Sequence, residues 1–73
     1  MSKAYTKGTK VVWNWGQGQG KGIVIDHYQE SVHKVLQGAE ITRHGTTDNP
    51  AYLIKQDNGH QVLKLHSELT SEN

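Results

Sequence analysis

Between Trp13 and Lys21 the chain reads Trp-Asn-Trp-Gly-Gln-Gly-Gln-Gly-Lys, and no other stretch gathers so many side chains suited to recognition. Indole faces stack on nucleobases, the carboxamides of Asn14, Gln17 and Gln19 can bond base edges, and Lys21 can meet a phosphate. Trp15, Asn14, Gln17, Gln19 and Lys21 are therefore the candidate binding residues. Trp13 is assigned to the core, because it sits inside the strongest strand pattern, whereas Trp15 adjoins a glycine loop that leaves one ring face uncovered. Catalytic chemistry is harder to assemble. With no cysteine, a thiolate nucleophile, a thiolate zinc site and a disulfide scaffold are all excluded. Ser31, Ser67 and the threonines could act as nucleophiles, but no spacing brings one together with a base and an orienting group. His27, His33, His44, His60 and His66 lack the close spacing of paired metal ligands, although His27 and His33 would face each other if their strands pair. No catalytic residue, metal site or cofactor is expected.

The elements that must position these residues are short strands. Thr9 to Trp15 is β-branched and aromatic with a period of two, placing Val11, Trp13 and Trp15 on one face and Val12 and Asn14 on the other. Gly16 to Gly22, with a glycine at every second position, reads as a hairpin loop, and its strand on either side argues against a phosphate-cradling loop, which needs a following helix. Gly22 to Tyr28 is a second strand, with Ile23, Ile25 and His27 on one face and Val24, Asp26 and Tyr28 on the other. Gly22 marks a bulge or a close approach of another backbone. Val32 to Leu36 is a third strand, which Ile41 to Arg43 continues or pairs with after Gly38. His44 to Pro50 is turn-rich. Ala51 to Gln56 and His60 to Leu65 flank Asp57-Asn58-Gly59, which predicts a hairpin through a type I′ turn. His66 to Leu69 fits one helical turn, with Leu69 closing an open barrel end.

A chain of 73 residues, 33% hydrophobic, supports one small core and buries only about 60% of the surface that its unfolded form exposes. Five short strands, glycine-rich turns and at most one short helical turn near the C-terminus predict an all-β, SH3-like small five-stranded barrel over residues 8–69. Residues 1–7 and 70–73 are expected to be flexible ends. The formal charge of +1 is too small for a general polyanion footprint. Its distribution is uneven: Lys3, Lys7, Lys10 and Lys21 fall in the first 22 residues with no carboxylate, which suits either an anionic partner or a solvated edge strand. No apolar run approaches a membrane span and no secretory h-region opens the chain, so a cytoplasmic protein without membrane contact is expected.

Lys7 to Trp13, the glycine run into Gly22-Ile23-Val24, Asn49 to Ile54 and Val62 to Leu69 resemble, in order and spacing, the hypervirulence-associated Tudor-like domain, formerly a domain of unknown function of bacteria and fungi. The resemblance spans about residues 6–70. It implies a Tudor-like barrel and transfers no substrate, cofactor or catalytic residue. The Tudor pattern also raises the prospect of an aromatic cage for a methylated cation. Trp15 falls near one cage position, but the remaining positions fall near Gly20 to Gly22, Lys55, Gln56 and Gly59, so a full cage is not expected. The reading is a non-enzymatic binding module, monomeric or weakly self-associating, with a protein or peptide partner. The alternatives are a single-stranded nucleic-acid module using the basic first third and Trp15, and an oligomeric enzyme with its site at a subunit interface.

Overall fold

The computed structural model describes residues 4–71. It contains seven strands, β1 (Lys10–Trp15), β2 (Gly18–Tyr28), β3 (Ser31–Leu36), β4 (Ala39–His44), β5 (Ala51–Lys55), β6 (Gln61–Leu65) and β7 (Thr70–Ser71), with a single 3₁₀ turn at His66–Glu68. Five of them form one antiparallel sheet in the order β6-β5-β2-β1-β7, and β3 and β4 pair as a separate ribbon. The all-β class and the five-stranded sheet agree with the expectation, but the membership differs. The expected third strand belongs to the ribbon, and the fifth place is taken by Thr70 and Ser71, which pair with Val12 and Val11 where a tail was expected. Among the described residues no helix is long and apolar enough to cross a membrane.

The glycine run is not a loop. Only Gly16 and Gln17 form the connection; Gly16 has φ 56° and Gln17 no positive φ, the pattern of a type II′ hairpin turn. Gly18, Gly20 and Gly22 lie in β2, facing Trp15, Trp13 and Val11 across the pair. Their spacing of two is the period of a strand, so every glycine points to the same face. There is a steric reason for this at Gly20 and Gly22: a Cβ at Gly20 would come within 2.4 Å of the Trp13 indole, and one at Gly22 within 2.6 Å of the Lys55 carbonyl. The close approach expected at Gly22 is present; the bulge is not there. It falls at Ile25, where the β2–β5 register shifts between Val24 and Asp26. Val24 consequently joins the core beneath β1, while Tyr28 packs on the opposite side of the sheet.

The type I′ chemistry expected at Asn58-Gly59 occurs at a different turn. The Gln56–His60 connection has positive φ only at Gly59, and the Gly59 amide bonds the Gln56 carbonyl, so it is a three-residue loop rather than a type I′ turn. Asn58 stays out of the left-handed region because its Oδ1 accepts the His60 amide. The two-residue turn with positive φ at both positions is Gln37-Gly38, at 49° and 81°, joining Leu36 to Ala39. Gln37 is held there by its side chain, whose Oε1 accepts the Gln61 amide at 2.8 Å and whose Nε2 donates to the Gln61 carbonyl at 3.0 Å. This carboxamide thus ties the ribbon to β6.

β5 divides the interior. Tyr52 and Ile54 enter a cluster with Val11, Trp13, Val24 and Leu69, while Ala51 enters a second cluster with Val32, Leu36 and Leu63 under the ribbon. Burial on both faces explains why Ala-Tyr-Leu-Ile is apolar without alternation. Val62 of β6, directly opposite Ile54, packs against the first cluster, and Lys64 of the same strand reaches the Trp13 ring of β1, so the sheet curls into a small barrel-like shell. As expected, Leu69 caps that cluster after the 3₁₀ turn, and Trp13 and Tyr52 serve the core.

At the N-terminal end, residues 1–3 lie outside the described residues. Tyr5 is packed: its amide donates to the Tyr52 hydroxyl at 2.9 Å and its ring stacks on His66 with centroids 4.6 Å apart.

Candidate functional site

The five candidate binding residues all lie on the β1–β2 hairpin and all are exposed, but pleating divides them. Asn14 opposes Gln19 and Val12 opposes Lys21, so these side chains share the outer face, where Gln19 Nε2 lies 3.5 Å from Asn14 Oδ1. Trp15 opposes Gly18 and projects to the other face, with Trp13. Gln17 sits in the turn. A single surface using Trp15 together with Asn14, Gln19 and Lys21 is therefore not formed. Lys21 instead lines a polar cleft of about 310 Å³ with Lys10, Gly22, Ile23 and Asp57, where the Asp57 carboxylate offsets the two ammonium groups.

Trp15 belongs to a different constellation. The curl of the sheet brings the β5–β6 turn and β6 opposite the tip of β1, and a groove of about 510 Å³ opens between them. Trp13 and Trp15 form one wall; Gln56, Asn58, His60, Val62 and Lys64 form the other. Trp13 is only 4% exposed and serves as floor, whereas Trp15 is 68% exposed and stands as an open rim. Asn58 has its Oδ1 committed to the His60 amide, which leaves its NH₂ to face a ligand. The Lys64 ammonium stands 5.9 Å from the Trp13 ring centroid. Burial, together with the nearby Arg43 guanidinium, lowers the Lys64 pKa below the ordinary lysine value.

Gln56, Asn58, His60 and Lys64 were not among the candidates from the sequence. Period two does place Val62 and Lys64 on one face of β6, and a lysine on the inward face of a short apolar strand is a recognisable signal. What the pattern cannot show is that β6 curls over β1, three places away in the sheet.

The groove bears on the aromatic cage. Two indoles line it, yet the Trp13 ring rests on Gly20 and is already approached by Lys64, so a cation entering beside it would meet like charge. The remaining lining residues are carboxamides, an imidazole and a valine. They complete no cage.

The histidines are dispersed. β2 and β3 do not pair, so His27 and His33 do not face each other; His27 opposes Tyr52, and His33 bonds Thr42 and Glu40 on the ribbon. Among the described residues no three His, Asp or Glu side chains gather as a metal-binding group. Ser31 Oγ lies 2.8 Å from His44 Nδ1 on the ribbon's exposed outer face, in no cavity that would exclude water. A second cleft, of about 400 Å³, separates β4 from β6 and is lined largely by Leu36, Ala39, Ile41, Val62 and Leu63. It is spanned at its ends by the Gln37 carboxamide and by the Arg43–Glu68 ion pair.

The family model described as the hypervirulence associated proteins TUDOR domain matches residues 8–69. No curated protein and no solved structure matches the chain.

Proposed function

Because the chain belongs to the Tudor domain family of hypervirulence-associated proteins, a class of small β domain that typically serves binding, we propose that it is a non-enzymatic binding module whose ligand enters the groove between the tip of β1 and the β5–β6 turn. The observation that carries this reading is Trp15. A tryptophan exposed to this degree costs solvation without contributing to the core, and here it stands beside a second indole in a concave site rimmed by carboxamides. Large aromatic faces with a few polar groups at the rim are the usual anatomy of recognition surfaces.

Three features support a binding role over a catalytic one. Among the described residues the one serine–histidine hydrogen bond lies on the open outer face of the ribbon. Among the described residues that line the groove there is no carboxylate to act as a base. Its imidazole, His60, is exposed at the turn, without a hydroxyl or thiol nucleophile among the lining residues.

Amide-shift mapping tests the reading. Panels of peptides and short oligonucleotides titrated into the full chain should move the Trp15 indole, Asn58 and His60 together. Ligands that bind but shift only the outer face of the β3–β4 ribbon would overturn it.

A further inference from the structure

The groove's chemistry narrows its ligand, and this step rests on the binding reading above. Among the described residues no carboxylate lines it, while Lys64 supplies an ammonium and His60 an imidazole. Lys64 is half-buried with Arg43 close by, so its charge is partly desolvated and lies beside a like charge, which an anion would offset. Trp13 and Val62 close the floor, so the site offers a flat exposed ring and a polar rim rather than a socket for an apolar side chain.

We propose that the groove is a stacking and phosphate site for single-stranded nucleic acid, in which a base lies on Trp15, its edge takes a hydrogen bond from the Asn58 NH₂, and an adjoining phosphate is held by Lys64. Each part uses a group with spare capacity. Trp15 has a free face, Asn58 has uncommitted amide hydrogens, and among the described residues no carboxylate pairs with Lys64. An acidic peptide would satisfy Lys64 equally well, but it would leave the Trp15 face and the carboxamide rim without flat, hydrogen-bonding partners. The lysines on the outer face of the hairpin take no part, because Lys21 projects away from Trp15 and shares its cleft with Asp57. A footprint of one phosphate gives weak binding with a shallow salt dependence, a log-log slope of about −0.7 for single strands.

The test is a titration of the full chain with a labelled thymidine octamer and a labelled uridine octamer, between about 50 and 200 mM salt, following tryptophan emission, anisotropy and amide shifts. Expected are quenching and shifts at the Trp15 indole and Asn58. Trp15→Ala should weaken binding roughly tenfold or more. Lys64→Gln should flatten the salt slope by about 0.7, while Lys34→Gln on the distant ribbon changes neither. A Glu-rich peptide is titrated in parallel. If the peptide shifts Trp15 and Asn58 and neither octamer does, the nucleic-acid proposal falls and the groove stands as a binding site. If an octamer binds but the shifts lie at Lys10 and Lys21, with Trp15→Ala unaffected, both fall.

Discussion

The indole of Trp13 lies directly on Gly20, so closely that a Cβ there would come within 2.4 to 2.5 Å of three ring atoms. The two residues face each other across β1 and β2; Trp15 opposes Gly18 in the next like-facing pair toward the turn, but there the indole does not lie over the glycine. Large opposite small lets the hairpin carry two tryptophans on one face while Gly20 itself is buried. One indole becomes core and the other stays open at the groove.

Gly20→Ala should therefore overpack the barrel. The backbone at Gly20 is paired on β1 and the ring is enclosed, so neither can yield readily, and a loss of about 1–3 kcal/mol is expected. Urea denaturation monitored by tryptophan emission checks this, and an unchanged midpoint would show the contact to be looser than described.

The two tryptophans should separate cleanly in stability. Trp13→Ala removes a buried indole from the main cluster and should cost about 3–5 kcal/mol, enough to unfold a domain of this size. Trp15→Ala should change stability by no more than about 0.5 kcal/mol. Thermal melts of the two variants, followed by far-ultraviolet circular dichroism, would read both.

Gln37 should matter more than its exposure suggests. Gln37→Ala loses two hydrogen bonds to the Gln61 backbone and keeps the cost of a positive φ, and about 1–2 kcal/mol of destabilisation is expected. Gln37→Gly relieves the backbone while losing the same bonds, so it should be the milder change. Equal denaturation midpoints for the two variants would argue against a strained turn held by the carboxamide.

At high pH the Tyr52 hydroxyl should set the limit of the fold. It accepts the Tyr5 amide and lies 2.9 Å from His66 Nδ1, and burial raises its pKa above the usual 10.0. The neutral phenol is the form the fold prefers, so its contribution is complete below pH 10 and disappears as the pH climbs through the raised value. Lys64 acts in the opposite sense. Its lowered pKa means that the unfolded chain holds the proton more tightly, so stability increases as the pH rises from the lowered value to the ordinary lysine range. Tyr52→Phe should be less stable at neutral pH and should flatten the alkaline fall. Denaturant midpoints measured from pH 7 to 11 for both proteins would decide, and parallel alkaline limbs would contradict the assignment.

Where the pattern in the chain is local, it was legible. Period two identified β1 and the two apolar runs flanking Asp57-Asn58-Gly59 identified β5 and β6, and these patterns assigned Trp13 and Tyr52 to the core, because the side chains of a buried strand are constrained residue by residue. The glycine run was misleading for an equally physical reason. Glycine at every second position is a turn signal by composition and a smooth strand face by period, and only the Trp13 indole against Gly20 and the Lys55 backbone against Gly22 select the second. Asn58-Gly59 misled in the same way, since the Asn58 side chain can cap its own loop and remove the need for a second positive φ. Of the candidate binding residues, exposure was legible for all five, but their division between two faces depended on where the hairpin turned.

By itself the sequence determined an all-β chain, the strands β1, β5 and β6, the buried Trp13 and Tyr52, and the family to which residues 8–69 belong. Tertiary structure alone decided that Trp15 parts from Lys21 and joins Asn58, His60 and Lys64, residues more than 40 positions away in the chain. The reason is that pleat and curl act over distance. A strand dictates which way each side chain points, but the curvature of the whole sheet dictates what it points at.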